Sequence, residues 1–192
     1  MSATTIDEVW SFWFGELDAA GDAAPATVKR WWTKDPAFDA EIRARFGELH
    51  RAVAAGEHEH WRDGGRGAIS YVIVLDQFPR NMFRDTPAAF ATDAQALAAA
   101  KDAIARGLDQ PAPRAARAFL YLPTMHSEAL ADQDACVALF AAVPGLEYNL
   151  DFAERHRAII RRFGRFPHRN AILGRPSTAE EEAFLREPGS SF

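Results

Sequence analysis

The side chains able to do chemistry gather in three stretches: DQFPRNMFR at residues 76–84, PTMHSE at 123–128 and FGRFPHRNAILGR at 163–175, with His156 between the last two. From them come Arg80, Asn81, His126, Glu128, His156, Arg165, His168, Arg169 and Asn170. Brought together they would combine guanidinium forks, imidazoles that titrate near neutrality and one carboxylate. Such a set suits binding an anionic small molecule or a peptide carboxylate. Each also has a structural role to weigh. Pro79 and the Gly164 to Pro167 corner predict helix ends, where arginines bond the last carbonyls and Asn170 caps a helix from Ala171. Ser127 is placed to cap the helix that follows it. His156 shares an apolar helical face with Ala153, Ile160 and Phe163, so its ring is expected to point inward.

Charge sharpens the question. Residues 155–175 hold seven arginines and no acid, leaving 15 basic residues against all 27 acidic ones elsewhere in a chain of net charge −5. Either this helix neutralises acidic neighbours or it builds an anion site. The overall negative charge argues against general nucleic-acid binding. Only three of the basic residues are lysines, and arginine's planar fork suits fixed pairing with oxyanions.

Familiar catalytic templates do not fit. Gly65, Arg66 and Gly67 open a G-x-G, but Ser70 stands in the third glycine's place and no strand precedes it. There is no phosphate-binding Walker loop, no H-E-x-x-H and no G-x-S-x-G. His58 and His60 lie two apart and diverge on a helix. A metal site from His126, Glu128, His156 and His168 has ligand chemistry but no supporting spacing; no metal or cofactor is assigned. The single cysteine, Cys136, excludes an internal disulfide and reads as a buried small hydrophobe. The five tryptophans read as packing residues.

The elements that must position these residues are helical throughout. Thr5 with Glu8 makes a capping box before Ile6, Val9, Trp10 and Trp13. Asp35 and Pro36 start a stripe of Phe38, Ile42, Phe46, Leu49 and Val53 that Gly56 stops. Thr92 is expected to cap a long alanine-rich helix bearing Leu97, Ile104 and Leu108, with Gly107 near its end. Leu130 to Val143 and Leu150 to Phe163 mark two more, the second closed by a left-handed Gly164. Ser177 with Glu180 suggests a capping box for a terminal helix. AISYVIVLDQF at 68–78 is β-branched enough for a strand, yet no second strand exists to pair with it, so a buried central helix is expected. The stretch 15–27 reads as a loop. One domain over 1–192 follows from length and an apolar content of 48%. No apolar run approaches the roughly 20 residues of a membrane span, and no basic leader is present, so a soluble cytoplasmic protein is expected.

FWFG at 12–15, LDQFPRNMFR at 75–84, AFATDAQAL at 89–97, FLYLPTMHSE at 119–128, ADQ at 131–133 and FGRFPHRNAILGR together resemble the bacterial Domain of Unknown Function 924 family. The resemblance runs from about residue 6 to 185. It implies an all-α fold of stacked antiparallel helices similar to tetratricopeptide-repeat proteins, although no 34-residue repeat is visible. It implies no activity. Three functional readings follow: a protein whose polar pocket holds an anion, a non-catalytic interaction scaffold with structural arginines, and a metal-assisted hydrolase. Oligomeric state is not legible.

Overall fold

In the computed structural model, which describes residues 4–191, the chain is a single all-helical domain. The ends of the expected 1–192 domain, residues 1–3 and 192, lie outside the described residues. The helices are α1 (Ile6–Phe14), α2 (Pro25–Trp32), α3 (Pro36–Ala54), α4 (Gly65–Met82), α5 (Asp93–Ala105), α6 (Arg114–His126), α7 (Leu130–Ala141), α8 (Glu147–Phe163) and α9 (Ala179–Phe184). Among the described residues the only β pairing is an isolated bridge between Leu17 and Ala23. No helix among them is long and apolar enough to cross a membrane.

Local chemistry sets the helix ends. Thr5 and Glu8 form the expected capping box on α1, and the Asp35 carboxylate accepts from the Ala37 and Phe38 amides at the start of α3. Helix α2 lies partly inside the stretch expected to be a loop. It buries no residue, so it leaves no apolar stripe to read. Its role is to close α1: Arg30 and the Trp31 indole donate to the Phe12 and Trp13 carbonyls, each at 2.9 Å.

Helix α4 is the expected central helix, buried from Gly67 through Pro79 and packed against α1, α3, α5 and α6. A Cβ on Gly67 would collide with the Trp61 carbonyl oxygen. Pro79 does not end this helix, contrary to expectation. A proline inside a helix leaves the carbonyl four residues earlier without its amide donor, and that carbonyl, Leu75, accepts from the Thr92 hydroxyl at 2.6 Å. For the same reason Thr92 makes no side-chain cap on α5. Pro123 is likewise absorbed within α6, whose last carbonyls, Met125 and that of Ser127 beyond it, accept from the buried Gln133 amide of α7 at 2.6 Å. Ser127 serves a local turn and Asp132, while the N-cap of α7 is Ala129.

Gly164 ends α8 in the left-handed conformation, φ 69°, as expected. A 3-10 turn, Pro167–Arg169, follows, and no helix begins at Ala171. The terminal capping box is Thr178 with Glu181, one residue beyond the expected pair. The apolar interior divides accordingly. A large core fills the space among α1 to α8, and a small one of Ile159, Ile160 and Phe166 lies under Phe163 and Phe184.

Candidate functional site

Arg80 stands one turn after Asp76 on α4, and that spacing, together with the approach of the α5 N-terminus, places it between two acids. Its guanidinium grips Asp93 through two nitrogens at 2.8 and 3.1 Å, donates to the Asp76 carbonyl at 2.7 Å and lies 3.3 Å from the Asp76 carboxylate. Asp76 is fully buried. Its other contacts are the Gln77 amide at 2.5 Å and His126 Nδ1 at 2.8 Å. Burial alone would raise the carboxyl; the charges of Arg80 and His126 and the hydrogen bonds outweigh it and hold Asp76 below its ordinary value. An ionised carboxylate only accepts, so His126 Nδ1 carries the proton. Burial and Arg80 push His126 below its usual value, against the pull of Asp76, so at neutral pH it is neutral with its lone pair on Nε2. Nε2 makes no hydrogen bond among the described residues.

Arg169 meets this group from the 3-10 turn. Its guanidinium lies over the Phe90 ring at 4.8 Å and over the Phe166 ring of the small core at 4.6 Å. Its side chain is 9% exposed, its Nε has no partner, and its nearest acid oxygen is on Asp93 at 3.5 Å, beyond good hydrogen-bond length. Burial, then Arg80, lowers it to about 10. His156, inward as expected and 5% exposed, sets its Nδ1 2.7 Å from the Phe152 carbonyl and its ring on Phe166; burial lowers it to about 3. His168, half-buried and also against Phe166, is lowered to about 4 by burial and then Arg169.

Arg80, His126, His156, His168 and Arg169 are therefore brought together. The other four expected residues are committed elsewhere. Asn81 donates to Asp39 on α3 at 2.8 Å, beside Arg84. Arg165 grips Glu181 at 2.6 and 2.8 Å and donates to the Pro176 carbonyl; it binds no carbonyl of the helix it follows. Glu128 borders the cluster but is held by Arg175 at 2.7 and 3.0 Å and by the Phe166 amide at 2.8 Å. Asn170 binds Ser177 and Arg175. Together these pin the corner that presents Phe166, His168 and Arg169.

The arginine-rich stretch resolves residue by residue. Arg155 pairs with Asp151, Arg157 and Arg161 with Asp134, Arg162 with Glu180, Arg165 with Glu181 and Arg175 with Glu128. Arg169 has the longest acid contact of the seven, 3.5 Å to Asp93, and makes no side-chain hydrogen bond among the described residues. Sequence reasoning passed over Asp76, Asp93 and Phe90. Asp76 had a signal, a charge inside the apolar run VIVLDQF; Asp93 and Phe90 had none.

Among the described residues no three His, Cys, Asp or Glu side chains are grouped to hold a metal ion. Cys136 is buried and its thiol is pushed up to about 12 by burial. Two surface depressions of about 430 and 270 Å³ flank residues 111–113, and neither is lined by a residue of the cluster.

Fold and site define the class: an all-α domain with a largely buried arginine, histidine and aspartate cluster against Phe166 of its smaller core. The chain belongs to the family described as bacterial protein of unknown function (DUF924), whose model matches residues 9–189. A solved structure of a protein of unknown function, ATU0120 from Agrobacterium tumefaciens, is similar to it at 40% identity over 94% of each chain, with a TM-score of 0.82. No curated protein matches the chain.

Proposed function

We propose that this protein binds an anionic small molecule through a carboxylate or phosphate group at the cluster of Arg169, His126 and His168, and that Arg169 is its anchor. One observation carries the reading: a nine-tenths-buried guanidinium, clamped between two phenyl rings, with no hydrogen bond among the described residues. A buried charge left without hydrogen bonds is costly, and the Arg169 contact with Asp93 is longer than the acid contact of any other arginine of that stretch. An oxyanion bridging the Arg169 fork would supply the missing acceptors. Phe90, Arg80, Asp93, His126 and His168 are each partly exposed, which supports access from that side. Arg165 does not belong to this anchor, since Glu181 occupies it. The packing of α3 on α4 and of α7 on α8, the latter pair through a short connection as antiparallel neighbours use, supports the proposed kinship with tetratricopeptide-like helix stacks.

A non-catalytic interaction scaffold is the second reading. It rests on Val28 and Trp32, 37% and 54% exposed and one turn apart on α2, a smaller apolar surface than the several hundred Å² that mark such grooves.

A thermal-shift screen of phosphorylated metabolites, monocarboxylates and dicarboxylates on wild type, Arg169→Met and Arg165→Ala tests the anion site. A ligand at a hundred times its dissociation constant stabilises by about 2.7 kcal/mol. The expected hit is lost in Arg169→Met and kept in Arg165→Ala. No hit on wild type, or one that survives Arg169→Met, overturns the reading.

A further inference from the structure

The anion site just proposed is already charge-balanced when empty. Arg80 and Arg169 supply two positive charges, and Asp76 and Asp93 two negative ones, within a single chain of contacts. An anion added at Arg169 therefore brings one uncompensated negative charge into a cluster largely shielded from water, where Coulomb interactions are strong. Either the anion is repelled or a neighbouring base takes up a proton with it.

Three imidazoles belong to the cluster, and their surroundings separate them: His156 and His168 feel the charge of Arg169 directly, and His126 joins it through Asp76, Arg80 and Asp93. His156 is 5% exposed and sets Nδ1 against the Phe152 carbonyl. His168 sits with Arg169 and Arg175 as well as Glu128 in its electrostatic surroundings, and Glu128 is already held by Arg175 and the Phe166 amide. His126 is bonded to a buried carboxylate, Asp76, at 2.8 Å. The charged and titratable groups facing it are Asp76 and Arg80 from α4, Asp93 from α5, His156 from α8 and His168 from the 3-10 turn. A proton on its Nε2 would place an imidazolium between the Asp76 carboxylate and the incoming anion.

We infer that ligand binding at this site takes up one proton at His126, so that the site selects a singly charged oxyanion and holds it between the His126 imidazolium and the Arg169 guanidinium. The inference rests on the anion site and adds its ligand class and its dependence on pH. No bond in the ligand is made or broken. The ring nitrogen lone pair takes a proton from water, and His126 acts as a positioning and charge-balancing residue.

Isothermal titration of sodium acetate and of inorganic phosphate into the whole protein, in two buffers of different ionisation enthalpy between pH 6.5 and 8.5, tests it. For acetate, the buffer dependence of the enthalpy is expected to report uptake of about one proton, and affinity to weaken about tenfold per pH unit. Phosphate is expected to bind better at the acidic end, where it is singly charged; a preference for phosphate over acetate identifies a phosphate ligand, and the reverse a carboxylate. In His126→Gln the proton uptake is lost, whereas Arg165→Ala keeps it. Nitrogen-15 spectra of the wild-type histidine rings report the same event without a variant: Nε2 of His126 gains its proton as acetate is added. Binding without proton uptake, uptake that persists in His126→Gln, or an unchanged His126 ring signal overturns this inference and leaves the anion site standing. No saturable binding of either probe to wild type overturns both.

Discussion

Arg80 and Arg169 reach the same carboxylate, Asp93, on different terms. Arg80 is held by two acids and a carbonyl; removing it would leave Asp76 without its main counter-charge in the interior. Arg169 has a long ion pair and two rings. Breaking a buried ion pair from one side costs about 3–5 kcal/mol, so Arg80→Met is expected to lose that much in urea unfolding. In Arg169→Met the thioether packs on both rings and Asp93 keeps Arg80, so stability is expected to stay within about 1 kcal/mol of wild type or rise. A large loss in Arg169→Met would make this arginine a structural latch. The difference between the two was not legible in the sequence. Both follow a proline in similar corners, and what separates them is the location of acids that are distant in the chain.

Elements explain why prolines sit inside helices here. Pro79 frees the Leu75 carbonyl, and Thr92, 17 residues later, satisfies it, so the exception in α4 fixes where α5 begins and hence where Asp93 meets Arg80. A buried carbonyl left unsatisfied costs about 1–3 kcal/mol, the expected loss for Thr92→Val; Thr92→Ser keeps the bond. In a Pro79→Ala background the alanine amide can serve Leu75, and the cost of Thr92→Val is expected to fall by more than half, measured as a double-mutant cycle. Equal costs in both backgrounds would show that the hydroxyl acts some other way. The element boundaries legible in the sequence were those set within four residues, at Thr5, Asp35 and Gly164. Misreadings fell where a distant donor replaces the local one, at Pro79 and Thr92, and where α2 has no buried face.

The whole molecule carries an unusual load of neutral buried imidazoles. Burial lowers His50, His126, His156 and His168, the last two to about 3 and about 4. Their unfolded values lie near 6.5, so as pH falls the unfolded chain takes up protons first. Stability is complete above about pH 6.5 and is lost below it, through about 4 for His168 and about 3 for His156. His156 alone contributes a fall of about 2 kcal/mol between pH 6.5 and 5. The depressed carboxyls of Asp76 and Glu181 act in the same direction further down, their contribution present above roughly pH 4.5 and lost in more acid solution. Urea midpoints are expected to drop steadily from pH 7 to 5, and less steeply in His156→Gln; a flat profile would mean that these rings open to water before they titrate.

Composition, periodicity and local caps were enough to establish a single all-helical domain, the central buried helix and most helix starts, because hydrogen bonds within one turn and one apolar face are written in neighbouring residues. The nine residues of the polar motifs divide into a cluster and its surroundings only through pairings such as Asp76 with His126, 50 residues apart, and Glu128 with Arg175, 47 apart. Sequence spacing carries no record of which acid reaches which arginine. Packing set Glu181 in a two-pronged grip on Arg165 and left Arg169 between two phenyl rings with Asp93 at 3.5 Å, a difference invisible in two arginines four residues apart, and the proposed anion site rests on it.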